Sequence, residues 1–262
     1  MKLGDRTLKR GMQGKDVVEL QLRLSGFRGT IWDGDFGPGT ELQVVSFQRD
    51  YMDSANPSGV VDAKVIGALE RFADEHKIAF DVLKCVCGQC GGFGKGRFKG
   101  KYGSGKPHVE AFHRYEYPGI HKAILHAYRA AWFYAAKAGN PVPVLTSGYR
   151  CWIRNKQKRR STTNHMGKAI DMDFPLQPGE DKRDDCLRCD SVRGVMVEKS
   201  VFQIGWGALN RKSLEPSNIA PTWIHMDVRS YELPYLDDVF FVKNAADLDT
   251  FNVSDELAGM DA

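Results

Sequence analysis

Turn sequences rich in glycine and proline divide the first 73 residues into short segments, which limits what this part of the chain can fold into. Residues 33–40 and 56–59 are dense in turn-forming residues, and Gly26 ends the segment before them. Asp16 is a suitable cap for a helix in the first segment. The apolar residues at helical spacing there are Val17, Leu20 and Leu24. Three short helices in a small bundle are therefore predicted, near the lower size limit for an independent core.

A weak internal repeat runs through this part of the chain, since a turn precedes both the second and the third predicted helix. The order of glycines, acidic turns and apolar positions resembles the peptidoglycan-binding-like three-helix module found in many cell-wall hydrolases. The resemblance implies a wall-binding module with peptidoglycan as its partner. The matching residues are Gly11, Gly14, Asp16, Val17, Leu20, Gln21, Leu24, Gly26, Asp33, Gly34, Phe36, Gly37, Thr40, Val44, Phe47, Gln48, Gly59, Val60, Val61 and Leu69.

The rest of the chain mixes helical and alternating patterns, which predicts an α+β fold. Residues 117–138 are expected to form a helix, and the charged residues 180–185 are interpreted as a solvated loop. The expected strands lie within residues 143–150, 169–174 and 223–228. The predicted divisions are a binding module at 1–73, a cysteine- and glycine-rich connector at 74–106, a second domain at 107–243 and an acidic tail at 244–262 with Phe251 as a candidate anchor.

Histidine and aspartate residues recur on the expected strands of the second domain. Alternation along a strand points Asp171 and Asp173 to one side, and His225 and Asp227 share a side in the same way. Two histidines and an acid can provide three ligands to a catalytic Zn²⁺ and leave one position for water. With His165, these side chains are candidate ligands, although the spacing alone favours solvation at the surface for any single one of them.

Three sequence stretches in a fixed order resemble the zinc D-Ala-D-Ala peptidase family of the LAS fold group, which includes many phage endolysins. They are Ser147-Gly148-Tyr149-Arg150, residues 165–171 and residues 223–227. The resemblance covers roughly residues 107–243 and implies a small antiparallel sheet with a zinc site. The implied ligands are His165, Asp171 and His225, and Arg150 matches the arginine that holds the substrate or polarises its carbonyl. A structural salt bridge is the alternative role for Arg150.

Two departures from the family pattern leave alternatives open. The segment between His165 and Asp171 is one residue short, so Asp173 is an alternative metal ligand. Many members place an acid three residues before the last histidine, where this chain has Thr222. Asp227 is therefore the first candidate for the catalytic acid–base residue and Glu215 the second, while Asp227 can equally orient His225.

Six cysteines are too few for a disulfide scaffold in a chain of 262 residues, so their spacing carries the information. Two Cys-x-x-Cys pairs predict a structural zinc that ties the connector to the segment after Phe174. Its expected ligands are Cys87, Cys90, Cys186 and Cys189. Disulfide bonds are the main alternative, and a redox pair is a further one.

Composition and charge exclude some classes of protein function. A net charge of +4 is too small to indicate a nucleic-acid-binding protein. No window is apolar enough to span a membrane, and the first six residues lack the apolar core of a secretory signal. We expect a monomeric endolysin, made in the host cytoplasm and released by a holin-type route. It would be a zinc endopeptidase or a D,D- or L,D-carboxypeptidase; the alternative is a catalytically inactive wall-binding or virion structural protein.

Overall fold

The computed structural model describes residues 2–28, 32–94, 116–160, 164–201, 203–204, 213–228 and 238–250. The described residues mix helices with small sheets, which confirms the predicted α+β class. The helices are α1 Lys15–Arg23, α2 Pro38–Asp50, α3 Ala63–Glu75, α4 Lys122–Lys137, α5 Trp152–Gln157, α6 Lys182–Glu198 and α7 Ala245–Leu248. The strands are β1 Ile120–His121, β2 Val144–Ser147, β3 Ala169–Asp173, β4 Gln203–Ile204, β5 Ser213–Leu214, β6 Ile224–Asp227 and β7 Phe241–Val242. Short 3-10 helices cover Phe80–Leu83 and Asp238–Phe240.

Helices α1 to α3 form the predicted N-terminal bundle. Pro38 occupies the first turn of α2, where its missing N–H costs nothing, and the Asp62 carboxylate caps α3 by accepting from Lys64 N and Val65 N. The predicted cap of α1 is wrong, because Gly14 is the cap residue and Asp16 lies within the first turn. The buried Asp16 carboxylate instead accepts a hydrogen bond from Arg6 Nε at 2.7 Å.

Five strands form the main sheet in the order β2-β3-β6-β5-β4. All neighbours are antiparallel except β4 and β5. Strands β1 and β7 form a separate antiparallel pair. The predicted helix at 117–138 begins at Lys122, and the predicted loop at 180–185 is wrong, because Asp181 and Asp184 form a capping box that starts α6 at Lys182.

The N-terminal bundle packs directly on helix α4 of the second domain. Gly26, with a φ of +104°, lies so close to Ala130 that a Cβ at position 26 would overlap it. The Phe27 ring lies 6.0 Å from the Phe133 ring and 5.5 Å from the Tyr134 ring. The two predicted domains therefore share a continuous apolar core.

The connector and the tail also contact this core where they are described. Leu83 and Phe93 of the connector are buried, and Asp249 of the tail forms an ion pair with Arg129 of α4 at 2.8 Å. Residues 95–106 of the connector and the candidate anchor Phe251 lie outside the described residues. Among the helices that the structure describes, none has the length and apolar character needed to cross a membrane.

Candidate metal centre

One face of the main sheet carries the polar residues of the candidate site. Asp171 of β3 pairs with His225 of β6 on one side and with Ser147 of β2 on the other. Residues directly opposite each other on antiparallel strands point to the same face, so these side chains converge. The opposite face is apolar and fully buried, and it carries Ile170, Met172, Ile224 and Met226. Burial of this apolar face fixes the strand register, because a slip of one residue would move the polar side chains into the core.

His165, Asp171 and His225 form a compact group in which each side chain offers a ligand atom within 4.8 Å of the other two. Nε2 of His165 lies 3.3 Å from Oδ2 of Asp171, and Nδ1 of His225 lies 2.7 Å from Oδ1 of the same carboxylate. Both histidines are 5% exposed, so the group is shielded from bulk water. The structure therefore brings together the three ligands that the sequence resemblance implies.

The second nitrogen of each imidazole ring is held by a neighbour. Nδ1 of His165 donates to the Gly148 carbonyl oxygen at 3.0 Å, which leaves Nε2 free to act as a ligand. Nε2 of His225 lies 3.1 Å from the fully buried Asp227 carboxylate, which also accepts from Asn164 Nδ2 at 3.1 Å. Metal-binding histidines are usually held in this way, with the outer N–H bound to a carbonyl or carboxylate.

The charge balance of the group favours a cation. Burial alone would lower the pKa of His225, but its hydrogen bonds to Asp171 and Asp227 raise that pKa to about 10. Burial alone would raise the pKa of Asp171, but the two histidine rings hold that pKa well below its usual range. The donor set of two imidazoles and one carboxylate suits Zn²⁺ and related divalent ions. The residues present thus fit the metal that the resemblance implies.

The alternative ligand Asp173 lies outside this group. It ends β3 and lies instead with Asp185 and Cys189, whose ligand atoms are all within 4.8 Å of one another. Burial raises the pKa of Asp173, and the nearby Asp185 adds to that shift. Both candidates alternate to the same face, so the sequence could not distinguish them by strand pattern alone.

Arg150 and Glu215 flank the histidine group. The Arg150 backbone N–H donates to the His165 carbonyl oxygen at 2.7 Å, and its Nη2 donates to Ser147 Oγ at 3.3 Å. Burial lowers the pKa of Arg150, and the Asp171 carboxylate opposes that shift. The Glu215 backbone N–H donates to the His225 carbonyl oxygen at 3.3 Å, so Glu215 is the cross-strand neighbour of His225 and is partly exposed.

A second group of possible metal ligands consists of four cysteines, Cys85, Cys87, Cys90 and Cys151. This corrects the predicted cysteine set, because Cys186 and Cys189 lie on helix α6 and are not part of the group. Pairing the two Cys-x-x-Cys sequences was misleading, since a spacing of three on α6 is ordinary helix geometry. The member that the sequence did not indicate is Cys151, which directly follows Arg150.

The sequence indicated Asp227 as a residue that could orient His225, but it did not indicate Gly148 beside His165 or Asn164 beside Asp227. Gly148 contributes a backbone carbonyl, which no residue type reveals, and Asn164 is the residue immediately before His165. Gly148 lies against the connector, where an added Cβ would overlap the backbone of Leu83. A glycine is therefore required at this position for the connector to approach the site.

Comparison with known protein families gives a match within the N-terminal bundle. A family model described as a putative peptidoglycan binding domain matches residues 13–69. This match covers less than half of the chain and does not extend to the sheet or the histidine group. It confirms the predicted wall-binding module, and it supports peptidoglycan as a partner and a role related to the cell wall. No curated protein matches the chain.

Proposed function

We propose that the protein is a zinc-dependent peptidase that cleaves the peptide stem or cross-link of peptidoglycan. The observation that carries the proposal is the convergence of His165, Asp171 and His225, with the outer nitrogens of both rings already held. A merely structural polar cluster does not require two imidazoles and a carboxylate to present ligand atoms to one point. The comparison places a wall-binding module on the same chain.

His165, Asp171 and His225 would hold Zn²⁺, which supplies Lewis-acid activation of water and of a peptide carbonyl. The role of the surrounding residues follows from their contacts. Gly148 and Asp227 accept the outer N–H of each ring and so would fix which ring nitrogen is available to a metal. Because Asp227 is fully buried and engaged by both Asn164 and His225, we assign it this orienting role rather than proton transfer.

Glu215 is then the group assigned to proton transfer. It lies across from His225 on the polar face of the sheet and is partly exposed, so its carboxylate can meet a substrate. In peptide hydrolysis it would take a proton from the attacking water and deliver a proton to the leaving amine. Both steps need a carboxylate that the substrate can reach, which Glu215 offers and the fully buried Asp227 does not.

Arg150 is assigned to substrate binding. Its guanidinium lies beside Ser147 at the edge of the site, and its backbone is bound to His165. A planar guanidinium binds a carboxylate through two hydrogen bonds and stabilises negative charge on a carbonyl oxygen. Stem peptides of peptidoglycan present both groups, so Arg150 suits the proposed substrate.

The N-terminal bundle favours action on the intact polymer. A bound module raises the effective concentration of nearby stem peptides at the catalytic domain. The shared core between the bundle and α4 holds the two parts in fixed contact. We therefore place an endopeptidase ahead of a carboxypeptidase. Host-cell lysis by a phage is the biological role that the resemblance implies for such an enzyme.

The test uses purified peptidoglycan and two readouts. A peptidase releases new amino groups without new reducing sugar ends, and mass spectrometry of the fragments identifies the bond. His165→Ala should abolish amino-group release while the variant still binds the polymer, since its N-terminal bundle is intact. Undiminished cleavage by His165→Ala would contradict the proposal. Binding without cleavage by the zinc-loaded wild type would favour an inactive wall-binding or virion structural protein, in line with the short spacing from His165 to Asp171.

A further inference from the structure

We propose that Cys85, Cys87, Cys90 and Cys151 form a structural Zn²⁺ site that is separate from the histidine group. The site would clamp the connector onto the turn that carries Arg150. The proposal does not rest on peptidase activity, because none of the histidine-group side chains takes part in it. It also differs from the cysteine site that the sequence predicts, in which Cys186 and Cys189 complete the set.

The sulfur atoms already lie close to the arrangement that a tetrahedral site needs. All four lie within 4.8 Å of one another. Sγ of Cys151 is 3.4 Å from Sγ of Cys87, and both thiols are unbridged. Zinc–sulfur bonds of about 2.3 Å at tetrahedral angles place neighbouring sulfurs about 3.8 Å apart. Only small shifts of the side chains separate the observed group from such a site.

Backbone N–H groups point at the sulfur atoms. Gln89 N donates to Cys87 Sγ at 3.3 Å, and Arg154 N donates to Cys151 Sγ at 3.4 Å. Cys151 N lies 3.5 Å from Cys85 Sγ and donates to it. Hydrogen bonds of this kind stabilise negative charge on sulfur, and zinc binds the thiolate form. The surroundings are therefore those of a site for thiolates rather than of a purely apolar core.

Backbone hydrogen bonds hold the loop that carries three of the cysteines. Cys85 N donates to the Gly92 carbonyl oxygen at 2.6 Å, which closes the loop, and Tyr149 N donates to the Leu83 carbonyl oxygen at 2.6 Å. The fourth cysteine, Cys151, is the N-terminal cap residue of α5. A metal at this point joins two distant parts of the chain, and soft thiolate ligands select zinc over calcium or magnesium.

Zinc analysis of variants separates this site from the histidine site. His165→Ala should retain one equivalent of zinc, and His165→Ala combined with Cys87→Ser should retain none. Cys87 is suited to the test because it is the most exposed of the four and its replacement disturbs the core least. The matched control is His165→Ala combined with Cys186→Ser, which should still hold one equivalent. Loss of zinc from the control and not from the Cys87 variant would overturn the proposal.

A measurement on the unmodified protein guards against misfolded variants. An organomercurial reagent should release one equivalent of zinc as it reacts with the thiols, and cobalt loaded in place of zinc should show thiolate-to-metal charge-transfer absorption. The denatured, unreduced protein should contain six free thiols, one for each cysteine. Two or four missing thiols, with no zinc released by the mercurial, would identify disulfide bonds and overturn the proposal. If only the peptidase proposal were wrong, the zinc that depends on His165 would be missing and the zinc released by the mercurial would remain.

Discussion

Nδ1 of His225 lies 2.7 Å from Oδ1 of Asp171, its direct partner on the neighbouring strand. The contact joins a histidine and a carboxylate that are 54 residues apart in sequence. The same imidazole meets Asp227 through its other nitrogen, so one ring lies between two carboxylates. This negative surrounding is suited to a cation, and the expectations for Asp227, Glu215 and Arg150 follow from where each lies relative to the histidine group.

Asp227→Asn should weaken zinc binding more than it changes the fold. The amide keeps the size of the side chain but removes the charge that holds the outer N–H of His225. Loss of such an orienting group typically reduces metal affinity by about 10–100-fold. Competition with a chromogenic chelator measures the change, and Asp53→Asn, at an exposed position, serves as the control. Equal zinc affinity in the Asp227 variant and the wild type would remove the orienting role.

Glu215→Gln should reduce peptide cleavage and leave the zinc content unchanged. The variant keeps the shape of the side chain but cannot accept a proton, and loss of a general acid–base residue costs about 10²–10⁴-fold in rate. The pH dependence of kcat/KM should also lose its acidic limb, which a purely structural role would not change. If Asp227→Asn removes that limb and Glu215→Gln does not, proton transfer belongs to Asp227.

Arg150→Lys should lower the cleavage rate by about 10²-fold, because an ammonium group cannot reproduce the two-point contact of a guanidinium. Zinc content and binding to the polymer should stay as in the wild type. Arg160→Lys is the control, since Arg160 lies in the exposed basic run after α5. Full activity of Arg150→Lys would mean that this residue contributes only its positive charge or its contact with Ser147.

Gly26→Ala should destabilise the protein by about 2–4 kcal/mol in the free energy of unfolding. The new methyl group meets Ala130 of α4, and the positive φ of residue 26 disfavours any side chain. Gly139→Ala isolates the second effect, because Gly139 also has a positive φ of +79° but no atom of the described residues lies within 4 Å of its added Cβ. Urea unfolding should show a clearly smaller loss for Gly139→Ala. Equal losses would mean that the bundle does not pack tightly on α4.

The protein should lose stability as the pH falls below about 6.5, the pKa of an unfolded histidine. Burial, aided by Arg129, holds the pKa of His126 well below its usual value, while the nearby Asp249 opposes the shift. The folded state thus keeps His126 neutral, and the unfolded state binds the proton more readily. The contribution of His126 to stability is complete above about pH 6.5 and falls by up to about 1.4 kcal/mol for each unit below it.

His126→Gln tests the origin of that pH dependence. Urea unfolding at about pH 7.5 and about pH 5.5 should show a smaller difference for the variant than for the wild type. The difference that remains should reflect His76, whose pKa burial lowers, and His225, whose raised pKa changes stability in the opposite direction. An identical pH dependence in the two proteins would exclude His126 as its source.

Local patterns were enough to predict the N-terminal bundle and the α+β class, since turns and apolar spacing act over a few residues. The grouping of Asp171 with His225 was predictable because strand alternation and the resemblance indicated both side chains, while His165 came from the resemblance alone. The cap of α1 was mispredicted because Gly14 and Asp16 both suit a helix start, and Asp16 is engaged instead by Arg6. The start of α6 was missed because a charged surface helix has little apolar periodicity.

The local sequence patterns could not predict contacts between distant parts of the chain. Nothing in the local sequence of Cys151 indicates that it meets Cys85, which is 66 residues earlier. The position of Glu215 opposite His225 depends on strand order, which places β5 beside β6. Such pairings arise from packing of the whole domain and produce no periodic pattern in the sequence.

The most direct test of the central claim measures zinc content and peptidoglycan cleavage together, in the wild type and in His165→Ala. We expect the variant to contain one equivalent of zinc fewer than the wild type and to lose amino-group release, while it still binds the polymer. Two results would contradict the proposed metallopeptidase site. One is cleavage by the variant at the wild-type rate, and the other is equal zinc content in the wild type and the variant.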